Sequence, residues 1–207
     1  MIINDSFPKF DLPIDFIADD SITGDILNYY SNFPCKIKAG VFVLCTEGMV
    51  KATINLLEVV IRKNDFVIVL PNSFIQIHEV SSDTRISFAG FSSDFMLSGN
   101  YVEILLDSMP MILNSPVISL QDDIAGLYRN VYLLLIRAYT LPHSLENKDI
   151  IRSILAIFLQ GTKELYKRYG RKLDEPLRRE QELYRQFIQL LMAHYTSEHE
   201  VAFYAEK

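Results

Sequence analysis

Residues 41–80 read VFVLCTEGMVKATINLLEVVIRKNDFVIVLPNSFIQIHEV, and this stretch decides the fold. Its apolar and β-branched residues alternate with polar ones or run together in segments of roughly six, the length and composition of strands. Turn residues part the segments at Glu47-Gly48, Asn64-Asp65 and Pro71-Asn72, because Gly, Asn, Asp and Pro enter turn dihedrals at little steric cost. Working outward, CKIKAGVFVLCTEG (35–48) and SSDTRISFAGF (81–91) keep the same texture. Several short strands at near-regular spacing predict an antiparallel sandwich or barrel.

Past residue 92 the period changes to that of helices. SDFMLSGNYVEILLDSM (93–109) holds one or two short ones. Ile124, Leu127, Tyr128, Val131, Leu134, Leu135 and Ala138 then mark one face of a long helix. A second is predicted from an N-cap at Ser144 through Ile150, Ile151, Ile154, Leu155, Phe158, Leu159 and Leu165. It closes on Lys167, Arg168 and Gly170, cations that suit the helix dipole and a glycine that suits the left-handed position after it. A polar connector, GRKLDEP (170–176), leads to a third helix in LRREQELYRQFIQLLMAHY (177–195), with Leu183, Phe187, Leu190 and Leu191 expected inward. Ser197 and Glu200 form a capping box that announces a last helix with Val201 and Tyr204 on its apolar face. Strands first and helices after make an α+β chain. The segments VYLLLI (131–136) and ILAIFL (154–159) are apolar nearly all round. That pattern fits helices packed on the sheet, and equally helices whose outer face a second copy of the chain covers.

Composition narrows the function. The 207 residues are 49% hydrophobic with a net charge of −6, a globular chain without a broad basic surface for nucleic acid. The two cysteines, Cys35 and Cys45, have no metal-type spacing and read as free thiols of a reducing cytoplasm. No apolar run is long enough to span a membrane, and the proline-broken, acidic start has no signal-peptide layout. The four histidines, His78, His143, His194 and His199, do not repeat at ligand spacing, and no nucleophile elbow, phosphate loop or dinucleotide fingerprint occurs. The acidic pairs Asp19-Asp20 and Asp122-Asp123 fall at turn or helix-start positions and read as structural.

The stretch 41–80 resembles the core of a cupin barrel, in its glycine turn at Gly48, its Asp65, its apolar strand Val67 to Leu70 and its Pro71. It departs where that family binds metal. Asn64 and Ser73 replace glycines, Gln76 takes the histidine position, and no histidine precedes His78. No metal and no cofactor is therefore expected. A metal-free cupin followed by helices resembles the sensor half of AraC/XylS-type transcription regulators. The tail RREQELYRQFIQLLMAHYTSEHEVAFYAEK (178–207) resembles the opening of that family's helix-turn-helix domain, cut short before its recognition helix. The resemblance implies a cupin-like effector-binding barrel over 1–118, a helical dimerisation region over 119–172, and a linker with a truncated DNA-binding start over 173–207. It implies a non-enzymatic, cytoplasmic homodimer joined through 121–169, with a small-molecule effector in the barrel and DNA contact only in a longer parent. Gln76, His78 and Arg85 are the candidate ligand contacts, with Tyr29 and Tyr30 as a lid. Gln76 and His78 share one side of their strand. Two alternatives stand beside this. One is a metal-free cupin enzyme, such as a sugar isomerase, using His78 as acid or base. The other is a dimerisation scaffold whose barrel is filled by Phe42, Phe66, Phe74, Phe88 and Phe91.

Overall fold

The structure, a computed structural model, describes residues 9–10, 12, 14–29, 31, 33–97, 102–140, 148–169 and 201–205, with isolated positions between 179 and 200. Two five-stranded sheets face each other. The first contains β1 (Lys9–Phe10), β3 (Cys35–Ile37), β8 (Ser73–Val80), β5 (Met49–Ile54) and β6 (Leu57–Arg62), in that spatial order. The second runs β10 (Val117–Ser119), β7 (Asp65–Val69), β4 (Gly40–Glu47), β9 (Arg85–Phe91) and β2 (Phe16–Thr23). Apart from the two-residue parallel β1–β3 pair, every pairing is antiparallel. Among the described residues no strand belongs to both sheets, so the expected barrel is instead an open sandwich with β6 and β10 at neighbouring edges.

Strand β7, the run DFVIV, is buried at every position. Its two faces meet different partners, which is why its sequence does not alternate. Val67 and Val69 join Cys45, Val50, Ala52, Ile54, Ile61 and Ile86 between the sheets. Phe66 and Ile68 point the other way, with Phe42, Leu44 and Phe91, into a second core beneath the helices. This corrects the expected filling. Phe42, Phe66 and Phe91 lie outside the sandwich, Phe74 is exposed, Phe88 is half-buried, and short aliphatics occupy the space between the sheets.

The helices are α1 (Gly24–Tyr29), α2 (Ser93–Leu97), α3 (Val102–Asn114), α4 (Asp122–Thr140), α5 (Lys148–Tyr169) and α6 (Val201–Ala205). Helices α4 and α5 cover the second sheet through an aromatic cluster centred on Phe158. Its ring centroid lies 5.1 Å from those of both Phe42 and Tyr132. Phe66 and Tyr128 approach to 4.7 Å. Such pairs add about 0.5–1.5 kcal/mol each beyond the area they bury. Helix α5 ends at Tyr169 beside Lys167 and Arg168 as expected, whereas Ser144 and Gly170 lie outside the described residues. Strand β10 was missed, because three residues, VIS, carry no periodicity of their own.

Positions 179, 183, 186, 187, 190 and 194 are helical. Leu183 and Phe187, expected inward, are exposed at 57% and 45%. Phe187 still meets Tyr204 at 6.1 Å. The announced last helix is α6; Tyr204 makes its contacts as expected and Phe203 joins it, whereas Val201 is 80% exposed. Ser197 lies outside the described residues.

Candidate functional site

The parity of β8 settles where the expected contacts point. Ile75 and Ile77 pack inward, so Gln76 and His78 face away from the sandwich interior. Gln76 stands opposite Thr53 across the ladder, and His78 Nε2 lies 2.7 Å from Thr53 Oγ1 on the exposed outer face. Their shared side was readable from sequence, but which side it was depended on the partner sheet. Arg85 is exposed at the start of β9, opposite Thr23 and Glu47. Tyr29 is the last residue of α1, and its side chain, like all of Tyr30, lies outside the described residues. The structure thus joins Gln76 and His78 on one surface and leaves Arg85 apart. Among the described residues no three His, Cys, Asp or Glu converge as metal ligands, and no helix is long and apolar enough to cross a membrane.

The open edge of the sandwich offers a different site. Between β6 and β10 lies a groove of about 670 Å³, lined by Leu57, Val59 and Val117 together with Glu58, Arg62, Lys63 and Ser115. Its floor includes Asp65, a buried carboxylate. Asp65 accepts from the Arg62 backbone N–H at 2.7 Å and from Ser119 Oγ at 2.6 Å, so each oxygen is bound and β7 is tied to β10. Burial, reinforced by the Asp65 charge, pushes the Cys45 thiol up from its ordinary 9.0 to about 11 and keeps it inert.

Both long helices are fastened to the rim of this groove. Asn64 holds a left-handed backbone, φ 67°, between Lys63 and Asp65. Its Nδ2 donates to Asp122 Oδ1 at 2.6 Å, its Oδ1 accepts from Arg129 Nη2 at 3.5 Å, and its carbonyl accepts from Leu120 N at 3.0 Å. The first turn of α4 is thus seated on the β6–β7 turn. On the other side, Tyr166 of α5 donates its hydroxyl to the Ser115 carbonyl at 2.5 Å. Sequence reasoning missed this site, since its parts are far apart along the chain. Its one local signal was Asn64 standing where the cupin frame has glycine.

The outer faces of the helices carry large apolar residues among their polar and charged ones. Leu127, Leu133 and Leu134 on α4 and Ile150 and Ile157 on α5 are exposed, between 38% and 58%. Leu127 and Leu134 stand two turns apart, as do Ile150 and Ile157, so each pair forms a stripe along its helix.

No protein-family model matches the chain, and no curated protein matches it. Among solved structures, ToxT from Vibrio cholerae is similar at 11% identity and a TM-score of 0.42, over 93% of this chain and 70% of that one. The AraC-like transcriptional activator CuxR is similar at 10% identity and a TM-score of 0.45, over 82% of this chain and 56% of that one. The EutQ protein of Clostridium difficile is similar over 42% of this chain and 69% of its own, at 13% identity and a TM-score of 0.28.

Proposed function

We propose that these residues are the effector-sensing and dimerisation part of an AraC-type transcription regulator. The observation that carries the reading is the pair α4–α5. One face of the pair is buried in the aromatic cluster, while the other exposes Leu127, Leu133, Leu134, Ile150 and Ile157 among polar residues. Exposed apolar stripes on adjacent helices suit an isologous two-fold contact, in which the same patch meets itself. The motifs at Gly48, Asp65, Val67 to Leu70 and Pro71, and the tail 178–207, supply the family. Residues 1–118 are read as the sensing unit, 119–172 as the dimerisation unit, and 173–207 as the approach to a DNA-binding domain. From Pro176 onward Arg178, Arg179, Arg185 and Lys207 are outnumbered by Glu180, Glu182, Glu198, Glu200 and Glu206, which leaves no phosphate footprint in that segment.

This reading assigns the effector to the groove at the open edge, because short aliphatic side chains cluster between the sheets. The reading is non-enzymatic. His78 has a threonine hydroxyl as its neighbour on an open sheet face, an arrangement that offers a substrate no enclosure. Sedimentation equilibrium tests the proposal. A dimer that Leu127→Glu with Leu134→Glu converts to monomer supports it, and a monomer at high micromolar concentration of the unaltered chain overturns it.

A further inference from the structure

We propose that the groove between β6 and β10 binds a small organic anion, gripped by Arg62 and Lys63, and that Asn64 passes its occupancy to α4. The inference rests on the effector-sensing reading and deepens it by naming the ligand class and the route of the signal. A groove of about 670 Å³ lies within the roughly 300–1,000 Å³ usual for small-molecule sites. Its lining is mainly polar, with one apolar patch where Val59 and Val117 continue the inter-sheet core, so it suits a small polar ligand with a short hydrocarbon part.

The charged rim decides the sign of the head group. Neither the Arg62 nor the Lys63 side chain has an ion-pair or hydrogen-bond partner among the described residues. Two carboxylates share the lining, Glu58 and Asp65. Asp65 is buried, with both oxygens already bound. Glu58 is four residues from Arg62 on an extended strand, which separates them by about 13 Å. The end of the groove at Arg62 and Lys63 is therefore cationic at its mouth. A guanidinium there can hold a carboxylate or phosphate through two parallel hydrogen bonds, with the adjacent ammonium adding charge.

The route to α4 is short. Lys63 is followed directly by Asn64, whose side chain bonds Asp122 and Arg129. A ligand that fixes the β6–β7 turn also fixes the partners of α4's first turn. By linkage, anything that tightens the turn and helix together tightens ligand binding in return. Asn64→Gly separates the two halves of the proposal, because glycine keeps the left-handed backbone while deleting both side-chain bonds.

The experiment is an NMR titration of the full chain with cyclohexaneacetate and with its neutral isostere cyclohexaneacetamide. Amides of residues 57–65 and 115–119 are followed, together with hydrogen exchange of amides 125–129. The expected result is binding of the acetate at the groove, at least tenfold weaker binding of the amide, and at least tenfold loss of acetate affinity in the Arg62→Gln, Lys63→Gln double variant. Bound acetate slows exchange in α4 several-fold in the unaltered chain and not in Asn64→Gly, which still binds. Asp122→Ala, at an exposed helix start, serves if Asn64→Gly does not fold. Equal binding of acetate and amide overturns the anion class. Shifts confined to the Leu127–Leu134 stripe overturn the groove, and equal slowing in Asn64→Gly overturns the relay. None of these failures touches the dimer on which the regulator reading is tested.

Discussion

Gly161 of α5 faces Tyr128 of α4 with no room for a side chain, and the energetics of filling that position can be worked from the structure. A Cβ placed on Gly161 of α5 would lie 2.3 Å from the Tyr128 hydroxyl oxygen and 3.3 Å from the ring carbon that bears it. Ordinary contact is near 3.4–4 Å, so the hydroxyl must retreat by more than an ångström. It has little room to do so, because the ring is held 4.7 Å from Phe66 and 6.2 Å from Phe158 between centroids. Overpacking of this kind costs about 1–3 kcal/mol, while alanine gains about 1 kcal/mol over glycine inside a helix. Gly161→Ala alone should therefore destabilise the chain by about 1 kcal/mol.

The Tyr128 hydroxyl is itself buried with no hydrogen-bond partner among the described residues, so Tyr128→Phe removes an unsatisfied polar group and should be neutral or stabilising by up to about 1 kcal/mol. In the double variant the clashing oxygen is gone and alanine's helix propensity remains. That variant should exceed the unaltered chain in stability, with a coupling of about 2 kcal/mol across the cycle. Urea denaturation at fixed pH measures each corner, and the expected shift in Tm is about 2–4 °C per kcal/mol for a chain of this size. Additive effects of the two substitutions would refute the reasoning, as would a stable Gly161→Ala.

Other substitutions probe separate parts of the fold. Leu56 sits at the β5–β6 hairpin tip with φ 72° and 61% exposure, a conformation that costs an L-residue about 1–2 kcal/mol with no burial to offset it. Leu56→Asn should raise the urea midpoint by the equivalent of about 1 kcal/mol, and a lower midpoint would contradict that assignment. Phe158→Ala, at the centre of the aromatic cluster, should cost about 3–5 kcal/mol by the same measurement. Cys45 has its folded pKa raised from 9.0 to about 11, so the unfolded chain loses this proton first. Stability associated with it is intact below pH 9 and falls as pH rises towards 11; Cys45→Ala should flatten that part of the stability profile. Cys45 should also resist a thiol reagent at pH 8 that labels the half-buried Cys35.

The sequence alone determined what local periodicity and turn chemistry control. Alternation and β-branched residues set strands through Phe91, the 3.6-residue spacing from Ile124 to Ala138 set α4, although Leu127 and Leu134 of that expected face meet solvent, and Asn64-Asp65 set the β6–β7 turn. Each of these rests on residues within a few positions of one another, where sterics and backbone hydrogen bonding decide. The sequence also put Gln76 and His78 on one side of a strand. Which side was left to the tertiary structure, because inside and outside exist only relative to the facing sheet. For the same reason Phe42, Phe66 and Phe91 were assigned to the wrong core: a strand buried on both faces has two interiors, and only the helices show which side takes the aromatics. The open edge and its groove arise from two sheets that share no strand. The Asn64–Asp122 bond joins residues 58 positions apart. Contacts at that separation are products of the assembled fold, which brings together groups that the local pattern of the chain does not connect.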